Sequence, residues 1–265
     1  MLGPDEEWFL HSEQRGVVRI VERYYRDKAN LWFFEQPGGV FVLVDCGTGA
    51  RDIYEYLLSS KLLPSGARLV VLLTHKHNDH AGGVRHLQRP GVEVCVHRDD
   101  AEAVRGGEDE VRWGNRPDMW TRPPRPGWDA SAFAVMEPGV TLHRLLEDGD
   151  VVEGLRVVHV PGHCPGCIAV LDPARRRLFT GDALYNGLPI LSFPSSDMAL
   201  CVRSMERILE LSADFDLAYP GHFGVLSAEH VRRQCAEVIE WCNKELERKK
   251  ESGGAEAEES KCMLQ

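Results

Sequence analysis

The sequence lacks several features that would have set its class at once. No apolar run approaches the roughly 20 residues needed to cross a bilayer. The opening stretch MLGPDEEWFLHSEQ has neither the basic start nor the apolar core of a secretory signal, which sets the expectation of a cytoplasmic protein that is not secreted. Positive charge is also scarce. Lys and Arg number 31 against 41 Asp and Glu, a formal net charge of −10. Such a chain offers no broad phosphate-binding face, so nucleic acid is not an expected partner. Of the eight cysteines, Cys46, Cys95, Cys201, Cys235 and Cys242 fall singly in apolar or helical stretches, where a buried free thiol is the default. The one close pair, Cys164 and Cys167 in HCPGC, has no second CxxC with which to complete a structural zinc site. No linker-like stretch divides the chain.

What is present reads as one soluble domain with a short appendage. The 265 residues, 43% hydrophobic and 27% charged, suffice for a full core. GVVRIVERYY, NLWFFEQ and VFVLVDCG predict early strands, ARDIYEYLLSS a helix, and ARLVVLLTH a strand buried on both faces. VEVCVH and a helical DDAEAVR follow. The second half alternates again: LRVVHVPGH, GCIAVLD, RRLFTGD, a helix from about Met198 to Leu211, LAYPGH, and a helix from about Ala228 to Arg248. This order predicts an α/β fold, two sheets flanked by helices. Residues 1–250 form the expected domain. Residues 251–265, acidic and nearly free of apolar groups, are expected to be disordered.

The chemistry concentrates behind the apolar run, in LVVLLTHKHNDHAGG. Isolated histidines usually belong to solvated loops, but four ligand-type side chains in six positions are another matter. Residues two apart on an extended turn point the same way, so His75 and His77 can grip one metal. Asp79 and His80, where the chain enters a helix, face towards a second. His163 in VVHVPGH, Asp182 in LFTGD and His222 in LAYPGH recur at strand ends. Each alone is a weak signal. Together they complete a two-metal set.

This pattern, HxHxDH followed by a distant His, a Gly-Asp and a final Gly-His, resembles the signature of the metallo-β-lactamase fold hydrolases from Asp45 to His222. The resemblance implies a four-layer αββα sandwich, in agreement with the element order. It also implies that His75, His77 and His163 hold a first metal and Asp79, His80 and His222 a second, with Asp182 bridging them. A closer likeness, carried by ERYYRDKANLWFF, THKHNDHAGG, EDGDVV, VPGHCPGCI, LFTGDALYNG and YPGHFGVL, is to the metallo-β-lactamase domain-containing protein 2 group, which is associated with acyl-coenzyme A thioester hydrolysis.

Zinc is the expected metal, two ions per site, although the same ligands can hold iron or manganese. Two such ions lower the pKa of a shared water from about 15.7 to about 7, and the hydroxide then attacks a polarised carbonyl. Asp79 and Asp182 are the expected catalytic residues, orienting that hydroxide. A thiol with a pKa of about 8.5 departs as thiolate without an extra acid, so a thioester suits the site better than an amide. His159 and His230 read as structural. β-Lactam hydrolysis is disfavoured, because the main zinc β-lactamases place a cysteine where Asp182 falls and a non-histidine at His80. The alternatives are a glyoxalase II-like thioester or lactone hydrolase, and an iron-dependent sulfur dioxygenase of the same fold.

Two stretches are expected to select the substrate. Arg112, Arg116, Arg122 and Arg125, interleaved with Trp120 and Trp128, form a basic-aromatic island suited to coenzyme A phosphates and adenine. It reads equally well as a proline-rich loop pinned by its tryptophans. Leu188, Ile190 and Phe193, after Asp182, line an acyl groove or simply cover the core. Finally, Cys262 in the terminal CMLQ fits a prenylation box, which would give a peripheral membrane attachment, marginal with one lipid.

Overall fold

Strands of two to six residues, the interior ones mostly apolar, build both sheets of the computed structural model, which describes residues 8–26, 28–106, 121 and 139–262. The first sheet holds β1 (Phe9–Glu13), β2 (Val18–Glu22), β3 (Leu31–Gln36), β4 (Val40–Val44), β5 (Leu69–Leu72), β6 (Val92–His97) and β7 (Arg144–Leu146), in sequence order. The second runs β13-β12-β11-β10-β9-β8, with β8 Val151–Val152, β9 Leu155–His159, β10 Ile168–Asp172, β11 Arg177–Gly181, β12 Leu217–Pro220 and β13 Leu226–Ser227. β5 explains its own sequence. It lies parallel between β4 and β6, covered on both faces, so all four residues LVVL are buried. Each such side chain contributes about 1.5–3 kcal/mol, which helps this strand to carry a polar cluster at its end.

Three apolar clusters fix the layers. Trp32, Val42, Val70 and Leu72 of the first sheet meet Val157, Val170, Phe179 and Tyr219 of the second. On the outer face of the first sheet, α1 (Ile53–Ser59) inserts Ile53, Tyr56 and Leu57, and α3 (Arg98–Gly106) inserts Ala101 and Val104. Against the second sheet lie Cys201, Met205 and Ile208 of α4 (Met198–Glu210) and Val231, Cys235, Val238 and Cys242 of α5 (Ala228–Cys262). The result is the αββα sandwich. The five cysteines read as buried free thiols are buried and free.

The structure departs from expectation at its edges. β1, β7, β8 and β13 are short or carry polar residues, and pattern alone gave them little signal. α5 runs to Cys262, beyond the end expected near Arg248.

Topology positions the site. β4, β5 and β6 are mutually parallel. β9 and β11 are each antiparallel to β10, so they run alike, and β12 is parallel to β11. The C-terminal ends of β5, β9, β11 and β12 therefore open at one edge, and every candidate ligand follows one of them.

Candidate metal centre

At that edge the seven predicted side chains meet. His75 and His77 follow β5. Asp79 and His80 sit on the single turn α2 (Asn78–Ala81), and His163, Asp182 and His222 follow β9, β11 and β12. Ligand atoms of His75, His77 and His163 lie within 4.8 Å of one another, as do those of His75, His80 and Asp182, and those of Asp79, His80 and His222. Asp182 reaches both halves. Its Oδ1 is 3.4 Å from His80 Nε2, while Oδ2 is 3.3 Å from His222 Nε2 and 3.8 Å from His163 Nε2. The glycine before His222 follows from this crowding: a Cβ on Gly221 would stand 2.2 Å from Asp182 Oδ1.

Each ring is oriented from behind. Asp45, buried at the end of β4 with φ of 62°, accepts hydrogen bonds from the Thr74 backbone N–H (2.7 Å), from Thr74 Oγ1 (2.8 Å) and from His80 Nδ1 (2.8 Å). Thr74 Oγ1 in turn accepts from His75 Nδ1 at 3.0 Å. One carboxylate thus sets a ring in each half and leaves both Nε2 atoms facing the centre, the arrangement by which outer groups fix metal-ligating histidines. His163 Nδ1 donates to the Ile190 carbonyl at 2.8 Å, and the Tyr185 hydroxyl accepts the Ile190 N–H at 3.1 Å. The His222 turn is held by the opposite sheet. Asn30 Nδ2 donates to the carbonyls of Pro220 and Phe223, both at 2.9 Å, and Trp32 Nε1 donates to Pro220 at 3.0 Å.

The donor set fits divalent ions on its own chemistry. His75 Nε2, His77 Nε2 and Asp182 Oδ1 are buried without a hydrogen-bond partner, which is costly unless something else satisfies them. Imidazole nitrogens also face each other closely: His163 Nε2 and His77 Nδ1 at 2.8 Å, His80 Nε2 and His222 Nε2 at 3.3 Å. Burial, then the neighbouring imidazoles, hold His75 well below the ordinary histidine pKa. Burial, then His163, does the same for His77. Burial opposes protonation of His80 and His222 too, but Asp182 and Asp79 outweigh it, raising His80 well above its usual value and His222 to about 9. Asp182 is held well below the usual carboxylate range; burial works against this, and His222 and His80 prevail.

A further gathering, His97, Asp99 and His159, differs in kind. The two rings stack face to face, 4.0 Å apart at 10°, so their lone pairs do not converge, and His159 Nε2 already donates to the Pro165 carbonyl at 2.7 Å.

Of the residues expected to select substrate, Arg112, Arg116, Trp120, Arg122, Arg125 and Trp128 lie outside the described residues. Phe193 stands beside the centre, its ring 4.8 Å from His77 and 5.3 Å from His163. Leu188 and Ile190 are 46% and 48% exposed, so neither merely covers the core. Phe223, 57% exposed and next to His222, extends that apolar rim and carried no signal in the sequence. Cys262 closes α5, and its side chain lies outside what is described.

The chain is similar to known proteins. A family model described as the Metallo-beta-lactamase superfamily matches residues 24–222. Acyl-coenzyme A thioesterase MBLAC2 of Gallus gallus is 37% identical over 88% of this chain and 87% of its own length; the protein of that name from Homo sapiens is 36% identical over 88% of each. Among solved structures, TTHA1623 in a di-iron-bound form is similar at 27% identity and a TM-score of 0.60, covering 78% of this chain and 94% of that one.

Proposed function

Since the chain belongs to the metallo-β-lactamase superfamily, we propose that its seven-residue cluster holds two divalent metal ions and hydrolyses acyl-coenzyme A thioesters. The observation that carries this reading is the convergence of buried ligand atoms from four strand ends on one carboxylate, Asp182, with His75 Nε2, His77 Nε2 and Asp182 Oδ1 buried without a hydrogen-bond partner. His75, His77 and His163 hold the first ion and Asp79, His80 and His222 the second, with Asp182 between them. When bound, two such ions supply Lewis acidity and bring the pKa of water from about 15.7 to about 7.

The protein's own groups do the rest. Asp79 Oδ2, 3.6 Å from His80 Nε2 and 3.5 Å from His222 Nε2, lies where it orients the attacking water and accepts its proton. Asp45 and the Ile190 carbonyl keep three rings in the tautomer that turns Nε2 inward. The thiolate leaves without protonation because its conjugate acid has a pKa of about 8.5. For the substrate, support comes from the thioesterase relatives and from the exposed rim of Leu188, Ile190 and Phe223, with Phe193 beneath it, which suits an acyl chain. The arginine-tryptophan island is assigned to the coenzyme A end on charge and aromaticity alone.

Metal analysis combined with thiol release tests the reading. Two zinc equivalents per chain, with rates that depend on acyl length, are expected. One iron with oxygen consumption would overturn it, and turnover confined to glutathione thioesters would reassign the substrate.

The catalytic domain takes residues 1–250, leaving 251–265 as an appendage. Among the described residues no helix is long and apolar enough to cross a membrane. Farnesylation at Cys262 would place a cytoplasmic enzyme at a membrane surface. Cell fractionation of Cys262→Ser beside the parent decides this: an unchanged distribution removes the anchor.

A further inference from the structure

The two loops that supply the all-imidazole half are joined by a residue that is not a ligand. Asp100, in the first turn of α3, has no exposed surface. Its Oδ2 accepts the backbone N–H of Lys76 at 2.9 Å and the Cys164 thiol at 3.2 Å; Oδ1 accepts the Gly166 N–H at 2.8 Å. Lys76 stands between His75 and His77, and Cys164 directly follows His163. One carboxylate from the first sheet's helix layer therefore ties the HxH turn to the HCPGC turn. The fit is close, because a Cβ on Gly166 would come within 2.3 Å of Asp100 Cγ, so position 166 has no room for a side chain. A carboxylate buried this deeply is tolerated only when several donors satisfy it, and here they come from both loops at once. Cys167 Sγ packs 3.1 Å from Cys164 Sγ, which holds the donating thiol in place. The CxxC that lacked a second pair to complete a structural zinc site acquires a different use: its first thiol completes the Asp100 clasp.

We propose that Asp100 is a positioning residue, setting the separation and orientation of the two loops so that His75, His77 and His163 are preorganised for a single ion. This rests on the metal reading above, and it concerns how the ion is held, not which ion it is.

The test uses the full chain, stripped of metal and titrated with cobalt(II), whose visible d–d absorption reports ligand geometry. In Asp100→Asn the amide N–H₂ opposes donors. Affinity at the three-histidine half should fall about 10–100-fold with an altered spectrum, while the other half binds as in the parent. Cys164→Ala removes one donor and should weaken the same half several-fold; Cys164→Ser, which keeps a donor, should restore it. If Asp100→Asn does not fold, the Ala–Ser pair at 164 decides, and equal affinity and spectra in that pair would overturn the proposal. A parent that binds two cobalt ions while Asp100→Asn and Cys164→Ala match it overturns this proposal alone. A parent that takes up no cobalt overturns the metal reading, and this proposal with it.

Discussion

His75, His77 and His163 meet as three imidazoles, whereas Asp79, His80 and His222 meet around carboxylates. Burial dominates the first group and keeps its rings neutral, so an ion arriving there displaces no proton. In the second group the acids win over burial and raise the pKa of both His80 and His222 above the ordinary histidine value. An ion arriving there must evict protons first. On the proposed two-metal reading, the two halves, which share Asp182 and the orienting Asp45, should therefore respond differently to acid, to metal supply and to mutation.

The heaviest blow to that contrast is Asp182→Asn, because the Asp182 carboxylate itself faces imidazoles of both halves. We expect kcat for acyl-coenzyme A to fall about 10³-fold and metal content to drop below two equivalents; a fall of less than ten-fold in thiol release would mean that Asp182 does not bridge.

Next comes the stability of the metal-free protein. The His222 pKa is about 9 when folded and about 6.5 when free. Its contribution is complete below pH 6.5 and disappears as pH rises through 9, an effect on the order of 3 kcal/mol. Thermal melts of stripped protein from pH 7 to 10, above the range where the neutral rings of His75, His77 and His163 make stability rise with pH, should show this loss, and added metal should abolish it. Melts that do not fall with pH would contradict the protonated half.

A smaller effect separates the halves directly. On dialysis from pH 8 towards pH 5, the carboxylate half should release its ion first, its affinity falling about ten-fold per pH unit for each proton regained. Simultaneous loss of both ions would break the comparison.

Smallest is Phe193→Ala. Its ring lies against His77 and His163, so a few-fold rise in KM for long acyl chains is expected, with the second ion's affinity unchanged. An equal effect on an acetyl thioester would remove Phe193 from the acyl surface.

The sequence made the ligands legible for a simple reason. Four ligand-type residues within six positions have few structural explanations, and once they are seen, each later Gly-His or Gly-Asp at a strand end gains meaning. Their supports had no such concentration. Asp45 looks like any aspartate at a strand end until its φ and three donors are seen. Ile190 acts through its carbonyl, which no side-chain pattern records. Asp100 serves residues 24 and 66 positions away, and Asn30 serves residues about 190 away; contacts of that range leave no periodicity. Interior strands were readable from continuous apolar runs, whereas two-residue β8 and β13 were not.

The bonds from Asn30 and Trp32 to the His222 turn also bear on biosynthesis. At about 5–20 residues per second, the HxHxDH segment leaves the ribosome seconds to tens of seconds before His222 exists. During that interval the nascent chain presents a cluster of four ligands with no lid, while the polar hooks that will seize the last one already sit beside the first sheet. The seven-residue geometry is therefore complete only after His222 has been synthesised and its turn has docked on Asn30 and Trp32.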